Sequence, residues 1–266
     1  MFAHAKSLIG MVHVGALPGT PRSQLAIDAL ADAAVRDALT LAEAGFDALL
    51  VENMHDRPYV HGRAGPEITA AMARIAGDVE RACGLPMGIQ LLSGANHEAL
   101  AVALAVGAAF IRCENFVFAH VADEGLLAQA EAGPLLRYRR QIGAESVGIF
   151  ADLKKKHASH ALTADVSLDE AAQAAEFFGA DGVIVTGEWT GRPASPAGVA
   201  QVRKATSLPV LVGSGVTPPQ IGPLFASADA LIVGSYIKRE GLWSNPIDPA
   251  RCRELVAEAE RHRKAG

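Results

Sequence analysis

Eight brief apolar runs, separated by longer Ala-rich stretches, constrain this chain more than any other feature of its sequence. They fall at 8–13, 47–52, 86–91, 109–114, 147–152, 181–186, 209–213 and 230–234. Short runs rich in Val, Ile and Leu, bounded by Gly, Pro or Asp, read as strands buried on both faces. The intervening segments 26–44, 67–83, 96–106, 124–142, 167–178, 218–226 and 249–263 carry helical spacing instead. Gly45, Gly107 and Gly179 stand where a helix must stop before the next strand. Asp248 followed by Pro249 reads as an N-cap with proline at the first helical position. Eight strand-helix units imply parallel pairing and closure, so the expected fold is α/β, a single (β/α)8 TIM barrel over residues 1–266. An open doubly wound sheet is the second reading, disfavoured because no GxGxxG follows the first run.

Size and charge narrow the function classes. A length of 266 residues suits one such barrel, and a net charge of -5 offers no basic surface for nucleic acid or anionic lipid. Cys83, Cys113 and Cys252 form no CxxC pair and no disulfide framework, which points to the cytoplasm. No apolar run is long enough to span a bilayer, and the stretch after Lys6 runs into Gly15, Pro18 and Gly19 rather than reading as a signal peptide. Direct membrane insertion is therefore not expected, while association of copies through the barrel helices stays open.

In a barrel of this kind chemistry gathers at the C-terminal ends of the strands. Those ends are polar here: His13, Glu52 with Asn53, Gln90, Arg112 with Glu114 and Asn115, Asp152 with Lys154, Lys156 and His157, and Thr186 with Glu188. The seventh and eighth runs, PVLVGSGV (209–216) and ALIVGSY (230–236), both stop at Gly-Ser. Glycine lets a ligand approach main-chain N–H groups and serine adds a hydroxyl. Gly213, Ser214, Gly215, Gly234 and Ser235, with Lys238 assisting, thus read as a phosphate cradle, against the plainer reading of two closed turns.

In extended ADLKKKH, Asp152, Lys154 and Lys156 share a face, making Asp152 the first acid/base candidate and Glu52 the second. Lys154 or His13 would stabilise developing negative charge, and a lysine of lowered pKa there could form a Schiff base. Asn53, Gln90, Arg112, Asn115, His157 and Thr186 are candidate substrate contacts. His13, Glu52, Asp152 and His157 are conceivable metal ligands, but no HxH or HExxH spacing occurs, so neither metal nor other cofactor is expected. Three long loops, Gly15–Ser23, Met54–Gly65 and Ala158–Asp165, read as lids, with Arg57, Arg63 and Arg192 able to meet an anion.

The phrases IGMVHVGALPGTPR (9–22), DALLVENMHDRPY (47–59), FIRCEN (110–115), DEGLL (123–127), DLKKKHA (152–158), VIVTGEWTG (183–191), VLVGSGVT (210–217) and IVGSYIKREGLWSNPID (232–248) resemble, in order, motifs of the BtpA family. The resemblance covers nearly the whole chain. It implies a TIM barrel of the ribulose-phosphate-binding group. The family pattern has an Arg-Asn-Asp type of ending after the third strand where this chain has LLSGAN, Leu91 to Asn96, which removes a cation. The expected function is a cytoplasmic enzyme that binds a small phosphorylated metabolite, a sugar or nucleoside phosphate, and works by acid/base chemistry of isomerase, lyase or hydrolase type. The alternative implied by the family's name is a non-catalytic biogenesis or regulatory factor for a membrane complex of the photosystem I type.

Overall fold

The computed structural model describes residues 6–187 and 193–264; Glu188 and Arg192 therefore lie outside the described residues. The described residues contain eleven strands and eight α-helices. The strands are β1 (Ser7–His13), β2 (Ala48–Glu52), β3 (Met87–Gln90), β4 (Phe110–Cys113), β5 (His120–Ala122), β6 (Gly125–Leu127), β7 (Gly148–Leu153), β8 (Ala158–Ser159), β9 (Gly182–Val185), β10 (Val210–Val212) and β11 (Ala230–Val233). The helices are α1 (Ile27–Ala44), α2 (Pro66–Cys83), α3 (Asn96–Val106), α4 (Ala132–Gln141), α5 (Leu168–Phe177), α6 (Pro196–Ala205), α7 (Pro218–Phe225) and α8 (Pro249–Lys264). Eight strands close into a parallel barrel in the order β1-β11-β10-β9-β7-β4-β3-β2, and every one of them coincides with an apolar run of the sequence.

The caps act as their residue types dictate. Gly45 and Gly107 end α1 and α3 in the left-handed region at φ 98 and 70. Asp248 Oδ1 accepts the N–H of Ala250 at 2.9 Å ahead of Pro249. Two elements differ from the sequence expectation. The helix expected over 124–142 is shortened to α4, because Pro134 is tolerated only in the first helical turn and Asp123-Glu124 close a hairpin into Gly125 at φ 114. That hairpin and β8 form a small antiparallel sheet, β6-β5-β8. The helix α6, with Ser195 as N-cap and Pro196 at the first position, was not among the expected segments.

Period-two alternation along each strand divides the core in two. Val12, Val51, Ile89, Ile111, Val185, Val212 and Val233 belong to the cluster between strands and helices, whereas Ile9, Met11, Leu50, Phe110, Phe150, Ile184, Leu211 and Ile232 fill the barrel interior. Phe110 and Phe150 meet edge to face, centroids 5.3 Å apart. They fit because strand neighbours lack side chains: a Cβ at Gly88 would lie 2.3 Å from the Phe110 ring and one at Gly182 2.2 Å from that of Phe150. Among the described residues no helix is long and apolar enough to cross a membrane.

Overpacking a filled barrel layer costs about 1–3 kcal/mol. Gly88→Ala is expected to lower unfolding free energy by that amount in denaturant titration, and Phe110→Leu on the same background to restore part of it. Wild-type stability in the single variant would contradict this account of the interior.

Candidate active site

The interior parity continues one step past the apolar layers and places the polar strand ends together. Ile9 and Met11 lead to His13, Leu50 to Glu52, Phe110 to Arg112, Phe150 to Asp152, Leu211 to Gly213 and Ile232 to Gly234. Strand register confirms the ring, pairing His13 with Glu52 and Glu52 with Gln90.

His13 and Glu52 form its first unit. His13 Nδ1 lies 3.1 Å from the carbonyl oxygen of Trp243, an acceptor only, so this nitrogen carries the proton and Nε2 presents its lone pair. Nε2 is 3.6 Å from Glu52 Oε2. Burial, followed by the charge of Lys238, pushes the imidazole down to about 3, and burial pushes the Glu52 carboxyl up against the opposing charges of Lys156 and Arg112. A neutral base thus faces a carboxyl that holds its proton more strongly than usual, an arrangement suited to passing one proton to and from a ligand.

Arg112 and Asp152 form the second unit. Nε and Nη2 of Arg112 donate to the two carboxylate oxygens at 2.9 and 3.0 Å, fully buried. Asp152, the first acid/base candidate from sequence, is therefore committed to holding the guanidinium, although burial raises its pKa. Arg112 in turn underlies the seventh strand end, since a Cβ on Gly213 would meet its Nη2 at 3.3 Å.

The lysine run does not keep the alternation read from the sequence. The strand stops at Leu153, and Lys154 and His157 adopt φ 46 and 56, so successive side chains diverge. Lys154 Nζ reaches the carbonyl of Thr163 at 3.3 Å, away from the mouth, which corrects its expected catalytic role. Lys155 turns under the rim, 3.3 Å from both Glu114 Oε2 and Ser93 Oγ. Lys156 enters the mouth, where burial and then Arg112 push its pKa down.

Two adjoining cavities share Glu52, Met54, Lys156 and Trp243. The inner one is lined further by His13, Arg112, Gly213, Ser214, Gly215, Gly234 and Ser235. The outer, about 270 Å³, adds Arg57, Tyr59, Gln90, Glu114, Lys155 and His157. Among the described residues no main-chain carbonyl accepts from the N–H of Gly215, Gly234 or Ser235. The α7 N-terminus adds little, because Pro218 and Pro219 have no N–H and Gln220 N bonds Thr217 O at 2.9 Å. Any anion there would be held by strand-end amides rather than by a helix.

Other expected contacts serve the scaffold. Lys238 is buried and paired with Asp37 on α1 at 3.1 Å, and it lines neither cavity, so the expected help to a phosphate is corrected. Asn53 ties two loops together, donating to Asp56 at 2.8 Å and accepting from Leu92 N at 2.7 Å. Asn115 donates to Gln129 O at 2.6 Å and borders a separate small cavity. Thr186 lines neither cavity, and its Oγ1 lacks a hydrogen bond among the described residues. Gln90 does face the outer cavity, with Oε1 buried and unpaired among the described residues.

Trp243 was missed by the sequence reading. Its ring is covered by the Arg57 guanidinium at 4.5 Å and by His55 at 4.9 Å, and it walls both cavities; a lone Trp in the long segment after the eighth strand was the available signal. Among the described residues no three His, Cys, Asp or Glu side chains converge as a metal-binding group.

Removing one partner of a buried ion pair costs about 3–5 kcal/mol. Asp152→Leu is expected to show that loss in denaturant titration, and Arg112→Met added to it to recover a large part; no recovery would contradict a pairwise role. For His13 the folded pKa of about 3 lies below the ordinary 6.5, so the unfolded chain takes up the proton first as pH falls. Native stability from this group is whole above 6.5 and is lost toward 3, at about 1.4 kcal/mol per pH unit inside that window. The stability advantage of wild type over His13→Gln should shrink by that slope between pH 6 and 5, both within the stated window; a constant difference would contradict a buried neutral His13.

Comparison with known proteins places this geometry. The chain is 46% identical over 255 residues to an uncharacterized mitochondrial protein of Caenorhabditis elegans, covering 94% of this chain and 91% of that one. It is 36% identical over 253 residues to the photosystem I biogenesis protein BtpA of Synechocystis, covering 94% and 86%. Among solved structures, thiamine phosphate pyrophosphorylase from Pyrococcus furiosus superposes with a TM-score of 0.59 at 14% identity over 97% of this chain and 96% of that one, a likeness of fold. The family model described as BtpA family matches residues 4–261, and the chain belongs to the BtpA family.

Proposed function

We propose that this chain is an enzyme that binds a small phosphorylated metabolite, a sugar or nucleoside phosphate, and moves a proton on it. The observation that carries this reading is the division of the mouth. Among the described residues the strand-end amides of Gly215, Gly234 and Ser235 reach no main-chain carbonyl and line the inner cavity, and His13, Glu52 and Lys156 stand in the same wall. A phosphate needs converging N–H donors and close main-chain approach, which glycine alone permits. A Cβ at Gly234 would lie 3.4 Å from His13 Nε2, so phosphate and proton-transfer groups are immediate neighbours. The outer cavity has room for the remainder of the metabolite, with Gln90 Oε1 as an unused acceptor.

In this reading the phosphate fixes the ligand, Glu52 and His13 exchange its proton, and Arg112 offsets developing negative charge. The sequence ranking put Asp152 first and Glu52 second for acid/base work, with Lys154 or His13 stabilising charge; in this reading Glu52 and His13 take that work and Asp152 holds Arg112. Isomerisation, lysis and hydrolysis all use these parts. The name of the P. furiosus neighbour, a thiamine phosphate enzyme, supports a phosphorylated ligand. The name of the Synechocystis relative supports a second reading, a factor in biogenesis of a membrane complex, in which the barrel keeps the anion site without turnover.

Thermal melts with inorganic phosphate, ribose 5-phosphate and AMP test the first reading. A ligand at a hundredfold excess over its Kd stabilises by about 2.7 kcal/mol, and Gly234→Val should abolish the shift by filling the cradle. No shift with any phosphorylated compound would overturn it.

A further inference from the structure

We infer that Lys156 is an imine-forming lysine, whose Nζ condenses with the carbonyl carbon of an open-chain phosphorylated aldose or ketose. This deepens the preceding proposal and rests on its phosphate site.

The lysines around the mouth are not equivalent. Lys154 donates to Thr163 O, Lys155 is tied to Glu114 and Ser93, and Lys238 is tied to Asp37. Lys156 has no hydrogen bond or ion pair of this kind among the described residues, yet its side chain lines both cavities. It therefore stands at the join between the glycine cradle and the chamber for the rest of the ligand. A lysine meant only to clamp phosphate gains from full charge. Lys156 is instead desolvated and placed beside Arg112, and both effects favour the neutral amine that a nucleophile requires.

The neighbours supply the remaining chemistry. The Nζ lone pair attacks the carbonyl carbon and forms a C–N bond. The C=O π pair moves to oxygen, which takes a proton from the Glu52–His13 pair. The new ammonium returns one proton to that pair, the hydroxyl takes it up and leaves as water, and the protonated imine C=N–H remains. Protonated, the imine accepts the electron pair of an adjacent C–H or C–C bond when that bond breaks, giving an enamine, and the reverse steps return the lysine. Water is the only co-reactant. His13 Nε2 and Glu52 border the same cavity as Lys156, so the proton leaving the α-carbon or hydroxyl has an acceptor in place.

Borohydride trapping tests the inference on the full chain. Incubation with dihydroxyacetone phosphate or ribose 5-phosphate, then sodium borohydride, should raise the protein mass by that compound less one oxygen atom. Peptide mapping should put the adduct on Lys156. Lys156→Arg should lose the label while its melt still shifts with inorganic phosphate. A melt shift in wild type with no adduct, or with the adduct on another lysine, overturns the imine role and leaves the phosphate site standing. No melt shift and no adduct with any of these compounds overturns the phosphate site, and the imine with it.

Discussion

The buried pair of Arg112 and Asp152 sets the terms for everything else at the mouth of this barrel. Two hydrogen bonds of 2.9 and 3.0 Å pair one full charge of each sign in a buried position. Had the carboxylate been left free, it would compete with Glu52 for the role of base. Had the guanidinium been left free, it would bind any anion without selectivity. Locked together, they leave Glu52, His13 and Lys156 as the other ionisable groups in the wall of the inner cavity. The pair also props the seventh strand end, because Arg112 lies directly beneath Gly213. The guanidinium remains close enough to depress Lys156, so one structural pair tunes a functional one.

The barrel itself was legible from eight apolar runs because strands buried on both faces leave a continuous signal, and each run became a barrel strand. The ring of polar residues was legible for a related reason: alternation inside a strand carries from Phe110 to Arg112 and from Phe150 to Asp152 without interruption. Where the strands end, that inference ends as well. ADLKKKH looked like one extended face, but positive φ at Lys154 sends the three lysines to three different places. Of the three, Lys156 lines both the inner and the outer cavity, and Lys155 lines the outer one. Roles as ties, such as Lys238 with Asp37 or Asn53 with Asp56, depend on residues far away in the chain and have no local pattern. The small sheet β6-β5-β8 escaped notice because its strands are two or three residues long.

Family membership and site geometry speak to different links of the argument. Membership in the BtpA family fixes ancestry across residues 4–261, and the fold likeness to a thiamine phosphate enzyme fixes architecture. Neither names a reaction, since barrels of one shape host many. What the geometry adds is a grouping within one cavity system: among the described residues, amides that reach no main-chain carbonyl at the inner end, His13 and Glu52 in its wall, and Lys156 at the join. Trp243, held by Arg57 and His55, closes that system on the solvent side and fixes the His13 tautomer through its carbonyl.

The central claim is that the inner cavity is a phosphate site facing Lys156. A crystal structure of the protein grown with inorganic phosphate tests it most directly. The account predicts a tetrahedral anion within hydrogen-bond distance of the Gly215, Gly234 and Ser235 amides, with Lys156 Nζ turned toward the open side. Phosphate bound elsewhere, or an inner cavity that holds only water at saturating phosphate, would contradict it.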